Sequence, residues 1–203
     1  TIQINVHALP IITWNNPPSQ LCFNANSFTL APLPVGGILS GSGINGYQFI
    51  PSTATIGNNY ITYQYTDGWG CSSLDSISIQ VLALPSISLT APNLNPCTNT
   101  TPIAINALPS GGSYTATAGL VNAVFTPSIS LIGPHDIIYT YTDANGCTNK
   151  DTLTITVHAL PTPSLTVPAN LCINASPINI ISNPIGGTLT GNGLSGSSFN
   201  PSL

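Results

Sequence analysis

The sequence predicts an all-β chain of tandem, small antiparallel β-sandwich repeats, each of about 75 residues. Three observations carry that prediction. Ala8-Leu9-Pro10, Ala83-Leu84-Pro85 and Ala159-Leu160-Pro161 recur 75 and 76 residues apart, and self-similarity at a fixed period marks a repeat architecture. The segment before each tripeptide alternates apolar with polar residues: Ile2-Gln3-Ile4-Asn5-Val6, Ile77-Ser78-Ile79-Gln80-Val81 and Leu153-Thr154-Ile155-Thr156-Val157. A period of two gives a strand one buried and one wet face. Finally, 19 Pro and 18 Gly are spread over 203 residues that contain no Glu, Arg or Met. That composition disfavours long helices.

Taken in order, one repeat begins with a short strand over Ile11–Trp14, and a loop then reaches Cys22. A strand around Ser27–Leu30 and glycine-punctuated hairpins through Gly37–Ile50 come next, then a long strand over Tyr60–Thr66. The chain turns at Asp67–Gly70 and closes with a strand over Ser73–Leu82. The landmarks repeat: Gly36-Gly37, Gly111-Gly112 and Gly186-Gly187 align, as do Phe49, Phe125 and Phe199, and Tyr63-Gln64-Tyr65-Thr66-Asp67 matches Tyr139-Thr140-Tyr141-Thr142-Asp143. Ala107-Leu108-Pro109 falls inside a repeat and is an echo. Residues 1–9 therefore read as the last strand of a preceding repeat, 10–84 and 85–160 as whole repeats, and 161–203 as the N-terminal part of another. The expected arrangement is a window from a longer array, or one in which a neighbouring chain supplies the missing strands. Tyr63, Tyr65, Tyr139 and Tyr141 are the expected core aromatics, since each pair shares a strand face with Ile61 or Ile137.

Charge narrows the function. Only 3% of residues are charged, against about 25% in ordinary domains. Lys150 is the single basic side chain beside Asp67, Asp75, Asp136, Asp143 and Asp151. One cation cannot neutralise a phosphate backbone, which excludes nucleic acid as a partner. No apolar run approaches a membrane span, and no signal peptide opens the chain. A Ser, Thr and Asn surface remains.

The cysteines hold fixed places. Cys22 and Cys71 are 49 residues apart, Cys97 and Cys147 are 50 apart, and Cys172 aligns with Cys22 and Cys97. This spacing predicts bridges Cys22–Cys71 and Cys97–Cys147, with the partner of Cys172 outside the chain; the alternative is reduced, buried cysteine. Disulfides imply an oxidising, extracytoplasmic setting. No Cys-x-x-Cys pair suggests zinc.

Reactive chemistry finds little footing, and we expect no enzyme, no metal and no cofactor. Gly41-Ser42-Gly43-Ile44-Asn45-Gly46 and Gly191-Asn192-Gly193-Leu194-Ser195-Gly196 fit G-x-G-x-x-G, but a dinucleotide fingerprint needs a following helix. Hairpin turns explain them better. His7 and His158 share a repeat position on the wet face, and His135-Asp136 stands in one repeat only. Asp67 and Asp143 open a Thr-Asp-x-x-Gly-Cys turn, where a carboxylate caps backbone; calcium would need several such oxygens.

The run Pro-x-Gly-Gly, Phe-x-Pro, Tyr-x-Tyr-Thr-Asp-x-x-Gly-Cys and a closing strand into Ala-Leu-Pro resembles the tandem immunoglobulin-like repeats of giant secreted surface proteins of Bacteroidota, among them gliding-motility adhesins exported by the type IX system. Tyr139-Thr140-Tyr141-Thr142-Asp143-Ala144-Asn145-Gly146-Cys147 is the strongest local match. The resemblance implies immunoglobulin-like sandwiches, an intradomain disulfide and an extracellular stalk, fibre or filament at the bacterial cell surface. It also implies O-glycosylation at Asp-Ser/Thr-aliphatic sites, which fits Ser76 and Thr152, with Thr1 at the equivalent place. Expected partners are neighbouring repeats, self-association into fibres and surface glycans. The alternatives are a carbohydrate-binding module, for which Trp14 and Trp69 are the stacking candidates, or passive spacer repeats of a secreted enzyme.

Overall fold

The computed structural model describes residues 2–128 and 131–203. Thr1, one of the glycosylation candidates, lies outside them. The chain divides into two compact units. One holds Thr1–Ala91, Ile105–Ala116 and Asp136–Leu153, and the other Pro92–Ala104, Thr117–His135 and Thr154–Leu203.

The first unit opens with seven strands: β1 (Gln20–Cys22), β2 (Phe28–Thr29), β3 (Ile38–Ser40), β4 (Ile44–Asn45), β5 (Gln48–Phe49), β6 (Gly57–Thr66) and β7 (Ser72–Leu82). They form two sheets, ordered β1-β7-β6-β3 and β2-β5-β4. The long hairpin β6–β7 pairs ten residues a side, from Gly57 opposite Val81 to Thr66 opposite Ser72. Between the sheets lies one core of Leu30, Leu39, Phe49, Ala54, Ile61, Tyr63, Ile79 and Val81. Burying each large apolar side chain contributes about 1.5–3 kcal/mol. This is an immunoglobulin-like two-sheet sandwich, as the alternation in β6 and β7 requires. β1 runs parallel to β7, with Gln20 opposite Gln80 and Cys22 opposite Leu82.

Two expected strands are not formed. Ile11–Trp14 reduces to a single bridge between Thr13 and Leu33, because Pro10 and Pro17-Pro18 bound it and proline cannot donate to a ladder. Residues 2–9 form no strand, and Ile2, Ile4 and Val6 stand in solvent. Alternation specifies a face, but the hydrogen bonds need a neighbouring strand.

The next strands are β8 (Ser88–Thr90), β9 (Ile103–Ala104), β10 (Asn106–Leu108), β11 (Ser113–Ala116), β12 (Leu120–Val121), β13 (Val124–Phe125), β14 (Gly133–Thr142) and β15 (Thr148–Val157). In the first unit β8 pairs with β10, and β11 lies on β14 with Tyr114 opposite Tyr139. Ile105, Ile137, Tyr139 and Cys147 are buried there. In the second unit β12, β13 and β9 form a sheet whose Phe125 is fully buried.

The second unit also holds β16 (Ser164–Thr166), β17 (Ile178–Asn179), β18 (Ile181–Asn183), β19 (Leu194–Ser195) and β20 (Ser198–Phe199), as a pair β16-β18 and a sheet β17-β20-β19. Here Val167, Pro168, Leu171, Ile178, Ile180 and Phe199 line an apolar hollow of about 240 Å³. Phe199 is only half-buried, whereas its equivalents Phe49 and Phe125 are fully buried. The segment 161–203 has no counterpart of the long hairpin β6–β7.

Candidate functional site

The repeated turn between the two long strands is built by one aspartate. Asp67 Oδ1 accepts the backbone N–H groups of Trp69 and Cys71, each at 2.9 Å. Asp143 Oδ1 accepts those of Asn145 and Cys147, again at 2.9 Å. Each carboxylate therefore fixes the cysteine four residues on. Among the described residues no group of three or more His, Cys, Asp or Glu could hold a metal ion.

A second repeated device sits at the other end of the long strand. Tyr63 is fully buried, its hydroxyl donates to the Pro34 carbonyl at 2.6 Å, and it accepts the Gly37 N–H at 2.7 Å. Tyr139 does the same with Pro109 and Gly112. A Pro-x-Gly-Gly turn is thus tied to a core phenol. Tyr65 and Tyr141 sit only half-buried at the rim. The rim position follows from the strand running out toward its turn.

Burial pushes the Tyr63 phenol above its ordinary value, opposed by the Gly37 hydrogen bond. The neutral form is the folded one, so its contribution is complete below the unfolded pKa of about 10 and is lost as pH climbs through the raised folded value. We expect Tyr63→Phe to cost about 1–3 kcal/mol, the penalty for leaving the buried turn groups unpaired. In urea unfolding at neutral pH the midpoint should fall, and the late phase of the tyrosinate titration should lose one group.

The cysteines differ from expectation. Cys22 is bonded to Cys147, with Cα atoms 5.5 Å apart, and Cys71, Cys97 and Cys172 are free thiols. The pairs Cys22–Cys71 and Cys97–Cys147 are not formed. β7 is the reason. Cys22 lies opposite Leu82 at the end of that strand, while Cys71 precedes its first residue. Eleven residues at about 3.3 Å each put them about 35 Å apart, far outside the Cα separation of about 4.4–6.8 Å a disulfide tolerates. Cys97 lies beside His158, just past the end of β15. The bond therefore joins Cys22, the last residue of β1 in one sequence repeat, to the turn cysteine of the next.

Around that bond the contacts are polar. Asn24 Nδ2 donates to the Thr148 carbonyl at 3.0 Å, and Asn149 Nδ2 donates to the Pro85 carbonyl at 2.9 Å. Asn24, Thr140, Thr148, Asn149 and Lys150 line a cleft of about 240 Å³. Sequence reasoning missed this junction. Its one legible signal was the separation of 125 residues, one repeat longer than the expected bridges.

The remaining candidates are placed as follows. Ser76 and Thr152 are exposed, and their N–H groups donate to the preceding Asp75 and Asp151 carboxylates. Trp14 packs edge-on to Tyr63 and donates its Nε1–H to Asp75 Oδ2 at 2.9 Å. Trp69 is 71% exposed, and His7 stacks on it with ring centroids 4.5 Å apart. His135 Nε2 lies 2.8 Å from the Leu131 carbonyl and Nδ1 lies 3.2 Å from the Thr117 hydroxyl, a structural tie. His158 is exposed. Among the described residues no helix is long and apolar enough to cross a membrane.

No family model matches the chain, and no curated protein does. Solved structures similar in part include the following two. Human mucin-like protocadherin EC1-2 shares 12% identity at a TM-score of 0.29, over 74% of this chain and 99% of that one. A Ca2+-stabilized adhesin that helps an Antarctic bacterium reach out and bind ice shares 16% identity at a TM-score of 0.32, over 93% of this chain. This chain spans 59% of that adhesin chain. At these TM-scores the likeness says nothing of ligands or partners.

Proposed function

We propose that the chain is an extracellular structural or adhesive repeat protein, part of a stalk, fibre or filament at a bacterial cell surface, acting by reach and not by catalysis. The observation that carries this reading is the Cys22–Cys147 bond. The bond ties residues of consecutive sequence repeats together within the first compact unit, which holds that unit closed under load, and it calls for an oxidising compartment. The near absence of charge adds to it, since the cohesion of such a chain depends little on salt. The sequence resemblance to surface repeats points the same way.

We carry the repeat boundaries 10–84 and 85–160, with 1–9 and 161–203 as parts of further repeats, within the same proposal. Glycans at Ser76 and Thr152 complete it. Both residues are exposed, and apart from Asp75, Lys150 and Asp151 the strands that carry them have no charged gatekeepers of the kind that discourage edge pairing. Intact-mass analysis of native material should show added hexose on peptides bearing Ser76 and Thr152, and bare peptides would remove the glycans. Electron micrographs of native material should show thin, extended filaments. Discrete compact particles would contradict the fibre. The carbohydrate-binding reading keeps one observation, the exposed Trp69, but His7 covers part of that ring and Asn145 replaces it in the next repeat.

A further inference from the structure

Tension applied to the two ends of a chain runs along its shortest covalent path. Hydrogen bonds and packed side chains are individually weak, and they give way long before a covalent bond does. In a chain without cross-links the path is the whole backbone, and each sandwich on it is drawn out in turn. The Cys22–Cys147 bond changes that path. Load arriving at Cys22 crosses the two sulfurs to Cys147 and continues toward residue 203. Residues 23–146 hang from the path as a closed loop.

The contents of that loop are specific. It holds β2 to β14 and the whole core of the first sandwich, from Leu30 to Val81. It also holds both tyrosine ties, Tyr63 to Pro34 and Gly37, and Tyr139 to Pro109 and Gly112. The loaded segments that flank the bond are both strands. β1 ends at Cys22, and β15 starts one residue after Cys147. A strand already rises about 3.3 Å per residue, against at most about 3.6 Å in a fully extended chain, so tension finds little slack in either. The bond is also anchored in the fold on both sides. The residue after Cys22 is fixed by the Phe23 N–H, which donates to the Leu82 carbonyl at 2.9 Å. Cys147 is fully buried, and its N–H is held by Asp143.

We propose that the Cys22–Cys147 bond is a load shunt. It carries tension past the first sandwich, which stays folded and keeps its surface intact while the chain is pulled. Residues 161–203 stay on the loaded path, and with only short strand pairs and no long hairpin they extend first. The shunt deepens the load-bearing reading proposed above and rests on it for its use.

The test pulls single molecules of the full chain from tags at its two ends, comparing oxidised chain with chain reduced beforehand by a dithiol. At rupture the oxidised chain should be shorter by about 45 nm, the loop of 125 residues at about 0.36 nm each. Cys22→Ser should show the long contour without reductant, and Cys71→Ser the short one. Tyr63→Phe should lower the unfolding force of the reduced chain and leave the oxidised trace unchanged, since Tyr63 lies in the shielded loop. Three results overturn the shunt. One is an oxidised chain as long as the reduced one. Another is an oxidised Cys71→Ser chain that gains about 18 nm, the length of the 49 residues between Cys22 and Cys71. The third is an oxidised trace that shifts with Tyr63→Phe. Compact particles or fully reduced cysteines in native material would instead overturn the load-bearing reading and leave these traces as they are.

Discussion

Gly37→Ala is expected to unfold the first sandwich, while Gly187→Ala is expected to be silent. The three glycines Gly37, Gly112 and Gly187 hold the same place in the repeat, yet their surroundings differ. A methyl group on Gly37 would be driven into the Gln64 carbonyl oxygen and lie 2.6 Å from the Tyr63 ring. On Gly112 it would meet the Thr140 carbonyl and the Tyr139 ring in the same way. Neither a strand carbonyl nor a fully buried ring can step aside. Overpacking commonly costs about 1–3 kcal/mol, and a clash with rigid backbone puts Gly37→Ala at about 3 kcal/mol or more. For a domain of this size each kcal/mol lowers Tm by about 4–8 °C. At Gly187 nothing lies within 4 Å, because 161–203 has no tyrosine-bearing strand to close against its turn. Calorimetry on the three variants reads this directly: two large losses and no change in the third.

The second large effect concerns the disulfide. Cys22→Ser should destabilise the chain by several kcal/mol. Closing a loop of 125 residues removes about 5 kcal/mol of denatured-state entropy in the chain model, and measured bridges commonly deliver about 2–4 kcal/mol. Cys71→Ser touches a free thiol and should leave the stability of the isolated chain within about 0.5 kcal/mol. The intradomain pairing implied by the sequence resemblance makes the opposite forecast, with equal losses for both variants. Urea midpoints under non-reducing conditions separate the two. Adding a reductant should lower the midpoint of the unmodified chain to that of Cys22→Ser.

How much of this was legible in the sequence depends on what kind of information each feature needs. β6 and β7 announced themselves, because Ile61 and Tyr63, like Ile79 and Val81, place apolar groups at period two on one face of a buried core. The Asp67 turn was legible for a similar reason. Its chemistry is local, an aspartate within reach of amides two and four residues on. The strand over Ile11–Trp14 failed because flanking prolines limited a good apolar pattern to one bridge. Residues 2–9 show that a strand pattern does not supply a strand partner.

The cysteine pairing was the largest miss, and its cause is also physical. Loop lengths of 49 and 125 residues differ little in closure entropy, so counting cannot choose between them. What decides is the parallel register of β1 on β7, which places Cys22 at the opposite pole of the sandwich from Cys71. Nothing in the residues of β1 states that register. The Tyr63 tie to Pro34 and Gly37 was half visible. The sequence marked the tyrosine and the Gly-Gly pair as repeating, but not that the one closes over the other.

Peptide mapping of the oxidised chain without reduction tests the central claim most directly, namely that Cys22 of one sequence repeat is bonded to the turn cysteine of the next and not to that of its own. A linked peptide containing Cys22 and Cys147 is the predicted result. Linked peptides containing Cys22 with Cys71 and Cys97 with Cys147 would contradict it.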